Sequence, residues 1–479
     1  MKFASVLLLS FAQVMDRLCH PHPSLPLTGE GIEGRGQSVA LLMRTSVAVG
    51  CLLSVVSAQW LETTIQLPDS SGPFALCYNP LNNKVYCANH GGGDVTVIDG
   101  ATNQVVTTVT AGEGPYAFCY NPQNNKVYCA NSVGNNVTVI DGAMDAVVAT
   151  VTAGDNPLVL CHNPQDNKVY CANLTSGNVT VIDGATDAVL ATVSAGAEPQ
   201  ALCYNPQGNK VYCANAGGTT VAVIDGGTNG ISGMVTVGSD PCALCYYHPS
   251  NVVYSANWSG DNVAMIDGVA DSLVTTVAVG DCPNVLCGNP QNGRLYCASY
   301  ADGSVTVIDG VSNEVVATLS TGAEPQALCH NPQNNRVYCA NSGDSTVTVI
   351  DGATSQVLRT IGVGNGPRDF CHNPSQNRVY VANEGSSTVS VLRDSMPGIE
   401  ESLKPQASSP KPAATVVRGV LFLAQASSHK PQGASLLDIE GRKVLDLHPG
   451  ANDVRHLAPG VYFVREAQAQ AVRRVVSTK

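Results

Sequence analysis

The chain has 479 residues, 44% of them hydrophobic and only 13% charged, with a formal net charge of −12. Its 46 glycines do not recur every third residue, which excludes a collagen triple helix, and sparse charge beside this apolar fraction excludes general disorder. Charge is uneven: residues 1–58 carry +1, 59–394 carry −17 and 395–479 carry +4. So acidic a middle segment repels phosphate backbones, and nucleic acid is not an expected partner.

Two apolar stretches lie near the N-terminus. Phe3 to Val14 follows Lys2, and a better-formed second stretch runs from Val47 to Val56 behind Met43-Arg44. Val56-Ser57-Ala58 then gives the small-residue pattern of a signal-peptidase site. The expectation is a true start at Met43 and a signal peptide over 43–58. A leader spanning all of 1–58 is the alternative. Neither stretch reaches the roughly 18 apolar residues of a membrane-spanning helix, so no transmembrane span is expected.

From residue 59 the sequence repeats. A proline in the pattern Leu-Cys-Tyr-Asn-Pro falls at Pro80, Pro122, Pro164, Pro206, Pro249, Pro290, Pro332 and Pro374, at intervals of 41 to 43 residues. Turn chemistry divides each unit into four short runs. In the first they are Phe74–Tyr78, Lys84–Ala88, Val95–Ile98 and Val105–Val109. Most are rich in Val, Ile, Thr and Tyr, which suits a pleated, half-buried surface, and no helical period appears. Four antiparallel strands per unit at this period predict propeller blades. Only seven units have a fourth run after the third, because the chain enters a polar linker at Asp394. Trp60–Leu67 supplies the missing strand from the front and would close the ring. The expectation is all-β: an eight-bladed β-propeller over 59–394, with seven blades as the alternative because the copy around Tyr247 to Ser255 is weak.

The units Val85-Tyr-Cys-Ala-Asn89 and Val379-Tyr-Val-Ala-Asn383, each followed by Val-x-Val-Ile-Asp or a near variant, resemble the YVTN-type β-propeller repeat. That family includes YncE-like, surface-layer and lactonase-like proteins. The resemblance implies a fold more firmly than an activity, since propellers host many unrelated functions.

Residues 395–414 form a Pro/Ser/Lys linker. Short alternating strands follow at Ala434–Ile439, Lys443–Leu447 and Val461–Arg465, the pattern of a small β-sandwich over 415–479. Asp438-Ile-Glu-Gly-Arg-Lys-Val444, Leu457-Ala-Pro-Gly-Val-Tyr-Phe-Val-Arg465 and Arg473-Arg-Val-Val476 resemble the C-terminal sorting domain of the type IX secretion system. A Pro-Asn-Pro element near Leu421–Ala426 is missing. The resemblance implies export through type IX machinery to an extracellular or outer-surface location.

Sixteen of the 18 cysteines lie in the repeats. Twelve form pairs ten residues apart: Cys77 and Cys87, Cys119 and Cys129, Cys161 and Cys171, Cys203 and Cys213, Cys287 and Cys297, Cys329 and Cys339. Each pair spans the first turn of its unit, where an antiparallel register allows a bridge, and an oxidising compartment permits one. Against this, Cys245 faces Ser255 and Cys371 faces Val381, which a small buried thiol explains as well. Both readings stay open.

The seven Asp-Gly aspartates, Asp99 to Asp351, are too many for one active site and suit turns. His162, His330 and His372 occupy a position held by tyrosine in other copies. Six acids just before the proline that opens a unit are better candidates: Glu113, Asp155, Glu198, Asp240, Asp281 and Glu324. Ring symmetry would gather them at one mouth of the channel, able to hold Ca²⁺ or a cationic ligand, or else forming a solvated rim. Trp258 and Tyr300, on loops of the same face, suit stacking on a sugar or peptide. No catalytic motif is visible. The sequence therefore favours a non-enzymatic binding protein for a protein, peptide or glycan, with a metal-dependent lactonase-like enzyme as the alternative.

Overall fold

In this computed structural model residues 59–394 are described throughout, together with strand residues between 416 and 477. The leader 1–58 and the linker 395–414 lie outside the described residues. The chain divides into two compact units, Met1–Glu400 and Glu401–Lys479.

The first repeat folds into the strands Pro73–Asn79, Lys84–Asn89, Asp94–Asp99 and Val105–Thr110, paired in that order as one antiparallel sheet. Six further units repeat this sheet. The eighth is built from both ends of the ring, in the order Gln59–Gln66, Thr388–Asp394, Arg378–Asn383, Pro367–Asn373. The propeller therefore has eight blades, not seven. The weak copy is a full blade, Pro241–Tyr247 through Ser272–Ala278.

Burial explains the residue pattern. The second and third strands are covered on both faces by neighbouring blades, so Val85, Tyr86, Cys87 and Ala88 are all fully buried and the run is continuously apolar. The outer strand faces solvent and alternates, with Val105 and Val106 exposed and Val109 buried.

Most of the repeated polar residues clasp one blade to the next. Asn79 is buried, accepts the Leu81 N–H and donates to Asn125 Oδ1 of the following blade at 2.8 Å. Asn373 closes the circle by donating to Asn83 at 2.9 Å. Tyr86 and Lys84 both reach Asp145 in the next blade's outer turn, at 2.8 and 2.6 Å. Buried hydrogen bonds of this kind contribute roughly 1 kcal/mol each and cost more when broken on one side. The Asp-Gly aspartates are turn residues: Asp99 accepts the N–H groups of Ala101 and Thr102.

The register corrects the disulfide expectation. Cys77 lies opposite Tyr86, and Cys87 opposite Leu76. The pair is one residue out of step, so the two side chains leave opposite faces of the sheet. The same offset separates Cys119 from Cys129, Cys161 from Cys171, Cys203 from Cys213, Cys287 from Cys297 and Cys329 from Cys339. All sixteen cysteines of the ring are free thiols.

In the second unit the described strands form two antiparallel sheets. One joins Val416–Val417, Val420–Leu423 and Gly450–Asp453, and the other Lys443–Leu447, Ala434–Leu437, Gly460–Glu466 and Val472–Ser477.

Candidate functional site at the mouth of the ring

Each inner strand starts at one end of the ring with a buried proline, from Pro73 to Pro367. The residue before that proline has positive φ in all eight blades, between 53 and 64°. Its carbonyl accepts the N–H of the residue that follows the second strand, as Asp240 does from Trp258 at 2.8 Å and Cys282 from Tyr300 at 2.9 Å. This one device brings the loop before the inner strand and the loop after the second strand to the same face. Gly72, Gly114, Asn156 and Gly366 suit the left-handed backbone, whereas Glu198, Asp240, Cys282 and Glu324 hold it despite a side chain.

Side chains vary where that framework leaves them free. After the opening proline come Phe74, Tyr116, Leu158 and Gln200 in the first four blades, then Cys242, Asn284, Gln326 and Arg368. Two aromatic groups result. Phe74 and Tyr116 have ring centroids 4.3 Å apart, with His90 5.6 Å from Phe74. Trp258 and Tyr300 pair at 5.6 Å. The first group belongs to blades one and two and the second to blades five and six. In a ring of eight, those are opposite.

Charge is arranged around these rings. The Arg368 guanidinium lies 4.7 Å over the Phe74 ring and pairs with Glu384 at 2.7 Å. Burial together with the neighbouring Glu324 carboxylate raises the Tyr300 phenol above its ordinary value, while Arg368 acts in the other direction. Beside Arg368, Asp369 accepts the Leu76 N–H of the adjoining blade at 2.8 Å, and burial pushes its carboxyl up to about 6.

The six rim acids do reach this face, but in two positions. Glu198, Asp240 and Glu324 directly precede their prolines, whereas Glu113, Asp155 and Asp281 stand one residue earlier. All but Asp240 are exposed. Asp155 accepts from Asn135 at 3.1 Å, and Asp240 is bonded by Ser259. They ring the mouth rather than converge: among the described residues no three His, Cys, Asp or Glu side chains meet as a metal site. Phe74, Tyr116 and Arg368 escaped the sequence reading. Their signal was present, as the position after each opening proline changes from copy to copy while the next apolar positions hardly do.

A YNCE-like β-propeller family model matches residues 123–328. The chain is a repeat β-propeller. A second family model, of seven-bladed lactonase propellers, matches residues 271–398 of this eight-bladed ring. None of the curated proteins matches the sequence significantly. Among solved structures, this repeat propeller is similar to Saccharomyces cerevisiae Sqt1, with a TM-score of 0.62 at 12% identity over 70% of this chain and 100% of that one. It is also similar to Kuenenia stuttgartiensis hydrazine synthase, with a TM-score of 0.50 at 18% identity over 69% and 98%. At such identities the likeness concerns the fold alone.

Proposed function

We propose that this propeller is a binding protein that takes a protein, peptide or glycan partner at the mouth bearing the Phe74–Tyr116 and Trp258–Tyr300 pairs. One observation carries the reading. The repeated residues are consumed in clasping blades and shaping turns, whereas the residues that differ between copies gather two aromatic pairs on opposite sides of one opening. Half-buried rings next to carboxylates and a guanidinium are what a recognition surface uses. We further propose that the protein is exported by a signal peptide over 43–58 and directed by residues 415–479, through type IX machinery, to the outer surface or the medium. The sequence motifs support that address.

A metal-dependent lactonase-like activity is the second reading, favoured by the family-model match over 271–398. A thermal-shift screen of the full chain against glycans, peptides, lactones and divalent cations separates the two. A ligand at about 100 times its Kd adds roughly 2.7 kcal/mol of stability. The binding reading expects a shift that is lost in Trp258→Ala or Phe74→Ala without turnover. Lactone hydrolysis that needs a divalent cation and the rim acids would overturn it. Processing is checked by N-terminal sequencing of secreted protein, expected to begin at Gln59.

A further inference from the structure

We propose that the mouth selects an alkylammonium ligand, seated on the Trp258–Tyr300 ring pair and held by the carboxylates of Asp240, Asp281 and Glu324. The proposal rests on the reading of this mouth as the binding face and adds the chemistry of what binds.

The two ends of the ring are electrostatically unlike. Lys or Arg opens the second strand in seven blades, from Lys84 to Arg378, and all seven stand at the end remote from the mouth. There they are tied down, as in Lys84–Asp145 and Lys126–Asp187 at 2.6 and 2.7 Å. At the mouth, among the described residues, Arg368 is the one Lys or Arg, and Glu384 pairs with it. Facing it are the six rim acids, the loop aspartates Asp261, Asp302 and Asp344, and Asp94 at the start of its strand. An opening of one sign concentrates counter-charged ligands and turns away like-charged ones. Anionic glycans and acidic peptides are therefore disfavoured.

The aromatic groups narrow the class further. On one side of the mouth the chain seats its own cation on a ring: Arg368 lies over Phe74 with Glu384 beside it. The opposite side repeats the ring pair and the neighbouring carboxylate, in Trp258, Tyr300 and Glu324, but among the described residues no Lys or Arg is stacked on those rings, and Arg368 reaches Tyr300 only by its charge. Asp261, Asp281 and Asp302 all act on Cys282, between blades five and six, which marks the negative potential at that point. Indole and phenol faces attract cations, Trp most strongly. An ammonium on an alkyl stem meets both demands, its charge toward the carboxylates and its methylenes along the rings. A neutral sugar would use the rings and leave the negative charge of the carboxylates uncompensated.

The chain has two tryptophans, and Trp60 is exposed on the outermost strand of the last blade. In a full-length Trp60→Phe protein, Trp258 reports alone. Spermidine and a short oligolysine peptide are titrated against its fluorescence, with glutarate and maltotriose as anionic and neutral probes. We expect a saturable change with the cations only. The isosteric pair Glu324→Gln and Asp281→Asn should raise the apparent Kd about tenfold with the melting temperature unchanged, and 0.5 M NaCl should weaken binding similarly. A response to oligolysine alone assigns the ammonium to a protein lysine, and one to spermidine alone to a free polyamine. A Trp258 response to maltotriose or glutarate but not to the cations overturns the ligand class and leaves the mouth as the binding face. Unchanged cation affinity in the double variant overturns the carboxylate role. Silence of Trp258 toward every probe overturns both readings.

Discussion

Asp369 stands where the other seven blades carry alanine or valine, from Ala75 to Ala327. The Leu76 N–H at 2.8 Å compensates it in part, and the Phe370 backbone acts in the same direction. Burial raises its carboxyl to about 6, against about 3.9 in an unfolded chain. Between those values the native state binds the extra proton, so stability falls as pH rises from about 4 to 6 and stays at the lower value above. Replacing Asp369 by alanine should remove that slope. Two pKa units correspond to about 3 kcal/mol, and the lost hydrogen bond offsets about 1. Urea unfolding should therefore show the variant more stable by roughly 1–2 kcal/mol at pH 8, with the advantage gone near pH 4. An equal advantage at both pH values would show that packing, not charge, sets the effect. The cysteines differ from one another at this same scale. Burial pushes Cys77 and Cys161 up to about 12, whereas Cys282 lies at the mouth with its thiol raised less, first by burial and then by the nearby Asp261, Asp281 and Asp302. Thiolate fraction and access together set alkylation rates. Brief iodoacetamide treatment at pH 8.5 followed by peptide mapping should label Cys282 first among the sixteen ring thiols. Cys282→Ser should remove that early label and nothing else.

Within the blades, the sixth shows what a small departure from the repeat does. In blade two, Asn131 donates to Asn136 at 2.7 Å and to Thr138 at 2.8 Å, closing a buried polar knot. In blade six serines replace both asparagines, and the hydroxyls of Ser299, Ser304 and Thr306 are buried with no protein partner. Restoring the pattern with Ser299→Asn and Ser304→Asn should stabilise the protein by about 1 kcal/mol, read as a raised urea midpoint with unchanged m value. Either change alone should do less, because each amide needs its mate. Elements of this kind were open to sequence reading wherever a period carried them. The eight prolines counted the blades, and Trp60–Leu67 announced the closing strand found as Gln59–Gln66. What escaped was register. The runs Phe74–Tyr78 and Lys84–Ala88 leave Asn79 to Asn83 as the turn, but Asn79 pairs with Lys84 and belongs to the ladder. That single residue puts Cys77 and Cys87 on opposite faces, and no composition rule fixes it because Asn83 sets the turn with a backbone at φ 51°. The mouth was half legible. Its acids and Trp258 stood out by residue type, but the opposition of the two aromatic pairs depends on blade positions that only a closed ring defines.

Over the whole molecule, closure is what distinguishes this ring from an open stack of blades, in which each unit would depend only on its neighbours. The two ends of the chain segment meet in the eighth blade. Asp394, almost completely buried, accepts from Gln59 at 2.9 Å and Asn331 at 3.1 Å, and bonds the Tyr338 hydroxyl. Glu62 on the same N-terminal strand grips Arg378 with both oxygens, at 2.6 and 2.8 Å, and Arg378 also donates to Gly100 O of blade one at 2.8 Å. One carboxylate thus ties the first strand to the last and to the preceding blade, and one guanidinium extends the tie to the blade after. Removing the Asp394 carboxylate strands three donors in a buried place, which is costlier than losing one bond. Asp394→Ala should cost about 3 kcal/mol, whereas Gln59→Ala removes one partner and should cost about 1. The exposed Asp69→Ala is the control and should be near neutral. Urea melts followed by tryptophan emission test this well, because Trp60 sits on the closing strand and Trp258 across the ring. In the wild type the two should report one transition. In Asp394→Ala the Trp60 signal should move to lower urea ahead of Trp258, since the eighth blade loses its outer strand before the other seven lose their neighbours. Coincident transitions in the variant, with a cost no larger than that of Gln59→Ala, would mean that the ring does not depend on this latch.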